Sequence, residues 1–337
     1  MTMILDIESI MRVLTKTQVV DMENKSYVPL KQPIIFQLEG FIVPKETAHL
    51  LFALSLLGYL ATLTGNGVVC VAIFVEKSLH KPMYVMICNL VACDLLGGTA
   101  MLTRLMSDFL SEERTITYAA AIFQAFSMHT YGSATQTILS VMAYDRYVAI
   151  CEPLRYHTIM TKGKLVGLCL TAWLIAFSLV LILFVMNVTT PLCGTLIVHV
   201  YCSNRSILRL ACHPTPYNDI YGLVMTWSLS TGSFLVIAFS YIKILVACLV
   251  VRKETNKRKV IQTCAPHLVA YVIFEITSII IIMSYRVPEI SENMKKFCSI
   301  LSIILPPIIN PIIYGLVMRD IRVNIIKLFK RKVVPNQ

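Results

Sequence analysis

The chain has 337 residues, of which 56% are hydrophobic and only 15% are charged, and its formal net charge is +11. A water-soluble domain carries about 25% charged residues, so this chain has too few charges to cover a water-facing surface. The composition therefore excludes an ordinary soluble domain and indicates a protein that lies in a lipid bilayer.

Long stretches between charged residues predict the membrane-crossing segments. A helix that crosses the hydrocarbon core needs about 20 mostly apolar residues, and seven stretches reach that length with at most one fixed charge inside. Their flanking residues are Glu46 and Glu76, Lys81 and Arg104, Arg114 and Asp145, Lys164 and Asn187, Asp219 and Lys243, Lys259 and Arg286, and Lys296 and Arg319. The stretches are continuously apolar instead of alternating, which excludes a β-barrel and predicts seven spanning helices.

The positions of the basic residues predict which ends of the spans face the cytoplasm. Lys and Arg are concentrated in the segments after spans one, three and five and in the C-terminal tail. An excess of these residues in short loops marks the cytoplasmic side. We therefore predict a multi-pass plasma-membrane protein with an extracellular N-terminus and a cytoplasmic C-terminus. The same pattern assigns the basic residues to topology and to lipid headgroups, so we expect membrane lipids and no nucleic acid as partners.

The chain divides into three parts. Residues 1–47 are predicted to form an extracellular tail, residues 48–318 the seven-helix domain, and residues 319–337 an amphipathic helix and cytoplasmic tail. In the last part apolar residues alternate with basic ones, which is typical of a helix lying on an anionic membrane surface. Asn24 and Asn204 begin Asn-x-Ser sequences in segments placed outside, so we predict N-glycosylation at both.

Four short motifs narrow the assignment. Span three ends in MAYDRYVAIC, residues 142–151, and span seven contains PPIINPIIYG, residues 306–315. Span two begins with KPMY, residues 81–84, and span six carries TCAPH, residues 263–267. These strings resemble those of the vertebrate olfactory receptors, a branch of the rhodopsin-like G-protein-coupled receptors. The resemblance covers nearly all of residues 40–330.

The resemblance implies an all-α membrane protein, a bundle of seven transmembrane helices with a short amphipathic eighth helix. It implies an odorant-binding receptor that activates a heterotrimeric G protein of the olfactory, stimulatory type, with no cofactor, no metal and no enzymatic activity. By the same resemblance, the activation switch comprises Asp145, Arg146, Tyr147, Tyr241, Asn310, Pro311 and Tyr314. Pro311 also has a physical role of its own, because it interrupts the hydrogen-bond ladder of span seven and permits a kink.

Asp94 is an ionisable residue inside span two. Such a residue faces the bundle interior by default, and the 11 residues from Met83 to Asp94 correspond to about 16 Å of helix, close to mid-membrane. Asn66 and Asn310 are the expected polar partners. A functional relay and a purely structural polar cluster both remain open. The family binds sodium in this region, but many olfactory receptors carry a Glu where this chain has Thr135, so no metal is predicted.

The odorant pocket of the family lies in the outer half of the bundle. Glu275 is 16 residues past Lys259, and His129 is 17 residues before Arg146, so both are expected about 25 Å above the cytoplasmic face. Three readings of Glu275 stay open: a counter-ion for a cationic ligand, a partner of His129, or a protonated structural residue. Helical spacing and the resemblance together assign these pocket residues: Met128, His129, Gly132, Ser133, Met225, Thr226, Glu275, Ser278, Ile279 and Ile282.

The extracellular cysteines depart from the pattern of the family. The resemblance implies a disulfide between Cys193 and Cys212 in the loop after span four. The middle cysteine of that loop, here Cys202, normally pairs with a cysteine at the top of span three, where this chain has Ala121. Cys202 is therefore free or pairs with Cys298.

Two alternative functions stay open. One is a rhodopsin-like receptor for a small molecule that is not an odorant. The other is a seven-span transporter or channel, which predicts several charged residues along a path and internal repeats. The sequence shows neither of those features, and it contains no catalytic motif.

Overall fold

The computed structural model describes most of the chain. It covers residues 29–31, 34–41, 43–250, 254–284 and 289–333, and within these it leaves undescribed the side chains of residues 250, 254–259, 261–262, 282 and 331–333. Asn24, Arg286 and the end of the C-terminal tail lie outside the described residues.

Seven long helices and one shorter helix account for the architecture. They are α1 Lys45–Val75, α2 Pro82–Leu110, α3 Tyr118–Cys151, α4 Lys162–Val188, α5 Pro216–Val250, α6 Glu254–Ser284, α7 Glu292–Ile312 and α8 Arg319–Val333. A π-helical turn, Ile313–Val317, separates α7 from α8. The prediction of seven spans and an eighth helix is confirmed.

Short elements occupy the loops. Two 3-10 turns, Lys77–Leu79 and Pro153–Arg155, follow α1 and α3. Two short helices, Tyr156–Ile159 and Asn204–Leu208, lie in the loops before α4 and before α5.

Polar residues with a short side chain fix where three helices begin. The hydroxyl oxygens of Thr117, Thr161 and Ser291 accept hydrogen bonds of 3.4, 3.3 and 3.3 Å from the backbone N–H three residues further on. A cap of this kind contributes about 1 kcal/mol to helix stability. α2 begins at Pro82, whose missing N–H is harmless in a first turn.

The outward faces of the helices are apolar. Leu57 on α1, Leu174 on α4 and Phe234 on α5 are 63%, 66% and 58% exposed. Contiguous apolar surface of this kind is rare on a soluble monomer, whereas it suits a surface covered by lipid tails. Together with the seven helices it makes the chain a multi-pass membrane protein.

α3 differs from the other six spans because it lies at the centre of the bundle. The other six are long and apolar enough to cross a membrane. α3 instead carries a series of buried polar side chains: Gln124, Ser127, Thr130, Ser133, Thr135 and Gln136. It contacts α2, α4, α5 and α6, so little of its surface meets lipid. Gln124 donates to the carbonyl oxygen of Ala100 on α2, and the Gln136 amide faces Glu275 on α6.

A small sheet covers the end of the bundle where α1 and α3 begin, which the basic residues predict to be the extracellular end. β1 Ile35–Leu38 is its central strand, antiparallel to β2 Thr115–Thr117 and parallel to β3 Leu196–Ile197. Phe36 and Leu38 of β1 point inward and are buried. Part of the predicted extracellular tail is therefore an ordered strand, which connects the start of α3 to the loop between α4 and α5.

Candidate functional site

The C-terminal end of α3, which the basic residues predict to be the cytoplasmic end, holds a buried ion pair. The Asp145 carboxylate is fully buried, forms a salt bridge with the Arg146 guanidinium, and accepts a hydrogen bond of 2.8 Å from the Tyr156 hydroxyl. Burial, and next the Asp145 charge, raises the pKa of Tyr156, so Tyr156 stays a neutral donor. A buried charge without its partner is strongly unfavourable, and the pair therefore fixes the position of Arg146.

A histidine bridge joins three helices next to this ion pair. His267 on α6 places its Nε2 2.9 Å from the carbonyl oxygen of Leu139 on α3 and its Nδ1 2.8 Å from the hydroxyl of Tyr241 on α5. The Leu139 carbonyl can only accept, so Nε2 carries the proton. The single hydroxyl proton of Tyr241 is shared between Nδ1 and a second acceptor on α6, the carbonyl oxygen of Cys264 at 2.9 Å. The sequence analysis quoted His267 only as part of a motif, and an ionisable residue within an apolar span was the available signal.

The residues around the bridge enclose a small cavity at the cytoplasmic end. It leaves about 10 Å³ for the centres of water molecules. Its walls come from α2, α3, α6 and the segment between α7 and α8: Met83, Ile87, Met142, Arg146, Thr263, Pro266, His267, Tyr314 and Met318. Of the other predicted switch residues, Tyr147 turns toward α5 and packs against Phe239, with ring centroids 5.9 Å apart.

Of the two polar residues expected beside Asp94, one contacts it in this structure. The Asn310 side-chain amide donates to both carboxylate oxygens of Asp94, at 3.1 and 3.0 Å. Asn66 does not bind Asp94; its amide donates instead to the carbonyl oxygen of Pro307, at 2.9 Å. That carbonyl needs a donor because Pro311, four residues later, has no N–H to offer. Asn66 thus repairs the break that Pro311 makes in α7.

Tyr314 lies in the π-helical turn that follows. Its side chain is 2% exposed, and among the described residues its hydroxyl has no hydrogen-bond partner. A π-helical turn is a rare feature that is frequent at functional sites. The end of α7 therefore combines an irregular backbone with a buried hydroxyl group that can still form a hydrogen bond.

Glu275 of α6 faces α3 and α5. Its Oε2 accepts a hydrogen bond of 2.9 Å from Ser230, and its Oε1 lies 3.4 Å from the amide nitrogen of Gln136 and 3.5 Å from the hydroxyl of Ser233. His129 packs elsewhere, against Phe184 of α4 at a centroid distance of 5.8 Å. The predicted alternative of a His129 partner is wrong.

The depth predicted for Glu275, at the level of His129, is also wrong. Gln136, its neighbour, is seven residues closer to the cytoplasm than His129, which is about 10 Å along α3. The depth prediction took Lys259 as the level of the membrane boundary. α6 begins before that residue, at Glu254, so Lys259 is no marker of depth.

The remaining pocket predictions divide by orientation. Met128, Ser133 and Met225 are buried, and Gly132 and Ser278 are half-buried. Thr226 and Ile279 are exposed on the outer surface. These two predictions are wrong, because both residues lie on stripes of exposed side chains; the stripe of Ile279 comprises Ile276, Ile279, Ile280 and Met283. The Ile282 side chain lies outside the described residues.

The extracellular loop contains the predicted disulfide between Cys193 and Cys212. Cys202 and Cys298 are both free, so the alternative that pairs them is wrong. Cys202 is fully buried, its N–H donates to the Gln124 side chain at 2.9 Å, and burial raises the pKa of its thiol to about 12. The thiol is therefore protonated and unreactive at neutral pH.

Asn204 is not presented as a glycosylation site. Its side chain is 6% exposed, and its Nδ2, the atom that would carry the glycan, donates to the Oδ1 of Asn218 at 2.9 Å. Its own Oδ1 accepts from Asn187 at 2.8 Å. Glycosylation would break this buried asparagine cluster, and this structure contradicts the prediction at Asn204.

A second ion pair lies at the extracellular end. Lys296 at the start of α7 is 2% exposed, forms a salt bridge with Glu39, and donates to the carbonyl oxygen of Gly40 at 2.9 Å. Gly40 has a φ of 66°, a conformation that glycine adopts without strain. The segment after β1 is thereby fastened to α7. The sequence analysis used Lys296 only to mark the limit of span seven.

Comparison with known proteins supplies the family. A family model described as olfactory receptor matches residues 54–332. Human olfactory receptor 10A6 is 33% identical over 302 residues, which are 89% of this chain and 95% of the relative. Mouse olfactory receptor 5M5 is 34% identical over 301 residues, 89% of this chain and 94% of the relative.

A solved structure supports the fold. The crystal structure of squid rhodopsin superposes with a TM-score of 0.70 at 15% identity and covers 92% of each chain. Nothing in these matches favours the transporter or channel alternative. With the family match over most of its length and the rhodopsin fold, this chain belongs to the olfactory receptor family and is an odorant-binding G-protein-coupled receptor.

Proposed function

We propose that this receptor binds its odorant in the outer half of the bundle and activates a stimulatory G protein at its cytoplasmic end, in the plasma membrane. The observation that carries the proposal is the bridge of His267, which joins α6 to α3 and α5 beside Arg146. A ligand shifts an equilibrium only through different affinities for two states. The bridge and the ion pair of Arg146 define one of those states, the closed one.

The cytoplasmic end must open before a partner can bind. The cavity beside Arg146 has a volume of about 10 Å³, which is room for about one water molecule. A helix with its side chains is about 10 Å wide and does not fit. Outward movement of α6 would break the two hydrogen bonds of His267, each worth about 0.5–1.5 kcal/mol net. This cost is small enough for the binding of a small ligand to offset it.

The end of α7 is a second movable element. Pro311 and the turn Ile313–Val317 weaken the helix there. The buried hydroxyl of Tyr314, which has no partner among the described residues, is available for a bond in the open state. In this proposal Asp145, Arg146, Tyr147, Tyr241, Asn310, Pro311 and Tyr314 form the switch, to which we add His267.

The charges support the proposed orientation. Arg155, Lys162 and Lys164 lie beyond the end of α3 that carries Arg146, and such an excess marks the cytoplasmic side. The apolar side chains of α8 alternate with basic residues, which suits contact with anionic lipid headgroups. We therefore place α8 on the inner leaflet and the N-terminus outside the cell.

The test is a panel of odorants applied to cells that express the receptor with a stimulatory G protein, with cyclic AMP as the readout. Wild-type receptor should respond to at least one odorant, and Arg146→Ala should abolish the response at equal surface expression. Arg209→Ala is the matched control, because Arg209 is an exposed arginine in the loop between α4 and α5, at the other end of the bundle. A full response of Arg146→Ala would contradict the proposed role.

A further inference from the structure

We infer that Glu275, with Gln136, Ser230 and Ser233, forms a binding site for the ammonium group of an amine ligand. This inference rests on the proposed function and assigns a ligand class to it. Three helices converge there, since Gln136 lies on α3, the two serines lie on α5, and the acid lies on α6. None of the comparisons with known proteins assigns a role to these residues.

The neighbours of the carboxylate are hydrogen-bond donors. Ser230 donates to Oε2 at 2.9 Å, and the Gln136 amide faces Oε1 at 3.4 Å. Ser233 also lies 3.5 Å from Oε1, although its hydroxyl has a closer acceptor in the Ser230 carbonyl at 2.9 Å. An ionised carboxyl group is an acceptor only, whereas a protonated one also donates. These donors can solvate a carboxylate when a cation binds beside it.

An ionised carboxylate inside a membrane calls for a cation. Charged residues in spans pair with one another or mark ligand and ion sites, because an isolated charge there is costly. Among the described residues, no nitrogen of Lys, Arg or His lies within 4.0 Å of Glu275; the five ion pairs all involve other acids. The hydroxyls and the amide lower the cost but supply no positive charge, so the missing partner is a bound cation.

Room for a ligand lies one helical turn further out. A methyl group built on Gly132 would contact no other part of the protein within 4 Å, whereas one on Gly97 would come within 2.5 Å of Tyr131. Gly132 precedes Gln136 by four residues, so the two lie on the same face of α3. Met128, a further turn out on that face, packs with Ile303 of α7. The open space beside Gly132 is therefore inside the bundle, between the acid and the extracellular end.

This geometry favours an organic amine over a bare metal ion. Only one carboxylate is present, and no group of three or more metal-binding side chains occurs among the described residues. An ammonium group can bond to the carboxylate while its alkyl chain fills the space beside Gly132. Ser278, one turn outward from Glu275 on α6, is half-buried and adds one polar group, whereas Met128 and Ile303 further out are apolar.

The experiment compares primary alkyl amines with the alcohols of the same carbon chain. Binding is read as thermal stabilisation of purified receptor, and activation as cyclic AMP in cells. We expect amines to stabilise and activate wild-type receptor, and Glu275→Gln to weaken amine potency at least about tenfold while alcohol potency changes less than about threefold. Glu46→Gln is the matched control, because Glu46 is an exposed acid at the first turn of α1.

A second variant tests the space independently of the charge. Gly132→Leu should reduce amine potency at least about tenfold with Glu275 intact, because the side chain fills the room for the ligand, and Gly132→Ala should reduce it less. Amines that neither stabilise nor activate wild-type receptor would overturn the inference, as would equal losses for amines and alcohols in Glu275→Gln. Activation by alcohols alone would overturn it too, yet leave the proposed receptor function standing.

The same preparation distinguishes an inorganic cation. Stabilisation is measured in sodium chloride and in potassium chloride at equal ionic strength, without amine. A sodium-specific gain that Glu275→Gln removes and the control retains, with no effect of amines, would assign the site to an inorganic ion and overturn the ligand class. A stabilisation by amines that is independent of sodium supports the inference.

Discussion

The two ends of the bundle are held together by different means. At the cytoplasmic end, two hydrogen bonds of His267 join α6 to α3 and α5, and one ion pair lies between adjacent residues of α3. At the extracellular end, a strand, a disulfide and the pair of Lys296 with Glu39 join segments that are far apart in the chain. The few, breakable bonds of the first suit a switch, whereas the crosslinked second suits a stable frame around a ligand site.

Near the start of α3, position 121 is an alanine, where the family resemblance implies a cysteine. β1 pairs with β2, directly before α3, and with β3, in the loop that holds Cys202. The strand therefore connects the loop to α3 by backbone hydrogen bonds, at the place where the family resemblance implies a disulfide. The frame at the outer end should then depend on β1.

The largest expected effect is on this strand. Phe36 is fully buried in β1, and Phe36→Ala should lower the free energy of unfolding by about 3–5 kcal/mol. Thermal unfolding of purified receptor measures it. Ile35→Ala is the matched control, because Ile35 is 55% exposed on the opposite face of the strand. Equal small losses for the two variants would show that the strand is not part of the frame.

The disulfide should contribute next. Cys193→Ser and Cys212→Ser each remove one crosslink, which we expect to cost about 2–4 kcal/mol. The double variant should lose no more than either single variant, because both break the same bond. Cys298→Ser, at a free and half-buried cysteine, serves as control in the same thermal assay. Additive losses in the double variant would contradict the pairing.

The extracellular ion pair is expected to contribute less. Lys296→Met should lower stability by about 1–3 kcal/mol, below the cost for a fully buried pair, because the Glu39 side chain is 32% exposed. Lys295→Met is the control, since its partner Glu292 is 61% exposed and such surface pairs contribute about 0–1 kcal/mol. If the two variants unfold at the same temperature, the pair of Lys296 and Glu39 does not stabilise the extracellular end.

The cytoplasmic end should respond in activity more than in stability. Tyr241→Phe removes the hydroxyl that bonds to His267 and should cost only about 1 kcal/mol of stability. Basal cyclic AMP should rise a few-fold, because the closed state loses one of its bonds. Tyr144→Phe, at the same end of α3, is the control. A variant that loses stability but gains no basal signal would make Tyr241 a purely structural residue.

Sequence patterns predicted the features that local composition determines. Gaps between charges located seven spans, and the strings around Arg146 and Pro311 identified the family. The pair of Asp94 and Asn310 was also predictable, because polar residues in apolar spans have few partners available. Each of these inferences uses residues whose roles follow from their own segment.

Features that depend on how segments pack were missed or wrong. Thr226 and Ile279 were assigned to the pocket, but the rotation of α5 and α6 about their axes is set by packing against α3. The depth of Glu275 failed because a charge does not mark where a helix leaves the membrane. β1 is four residues long and pairs with strands about 80 and 160 residues away in the chain. No pattern within its own segment therefore predicted it.

Basal signalling of His267→Phe tests most directly whether the bridge holds the cytoplasmic end closed. Cyclic AMP without ligand is compared for wild type, His267→Phe, Arg146→Ala and the double variant, all at equal surface expression. We expect His267→Phe to signal several-fold above wild type and the double variant to return to background, because the opened end then lacks Arg146. Basal signalling of a well-folded His267→Phe at or below the wild-type level would contradict the role of the bridge.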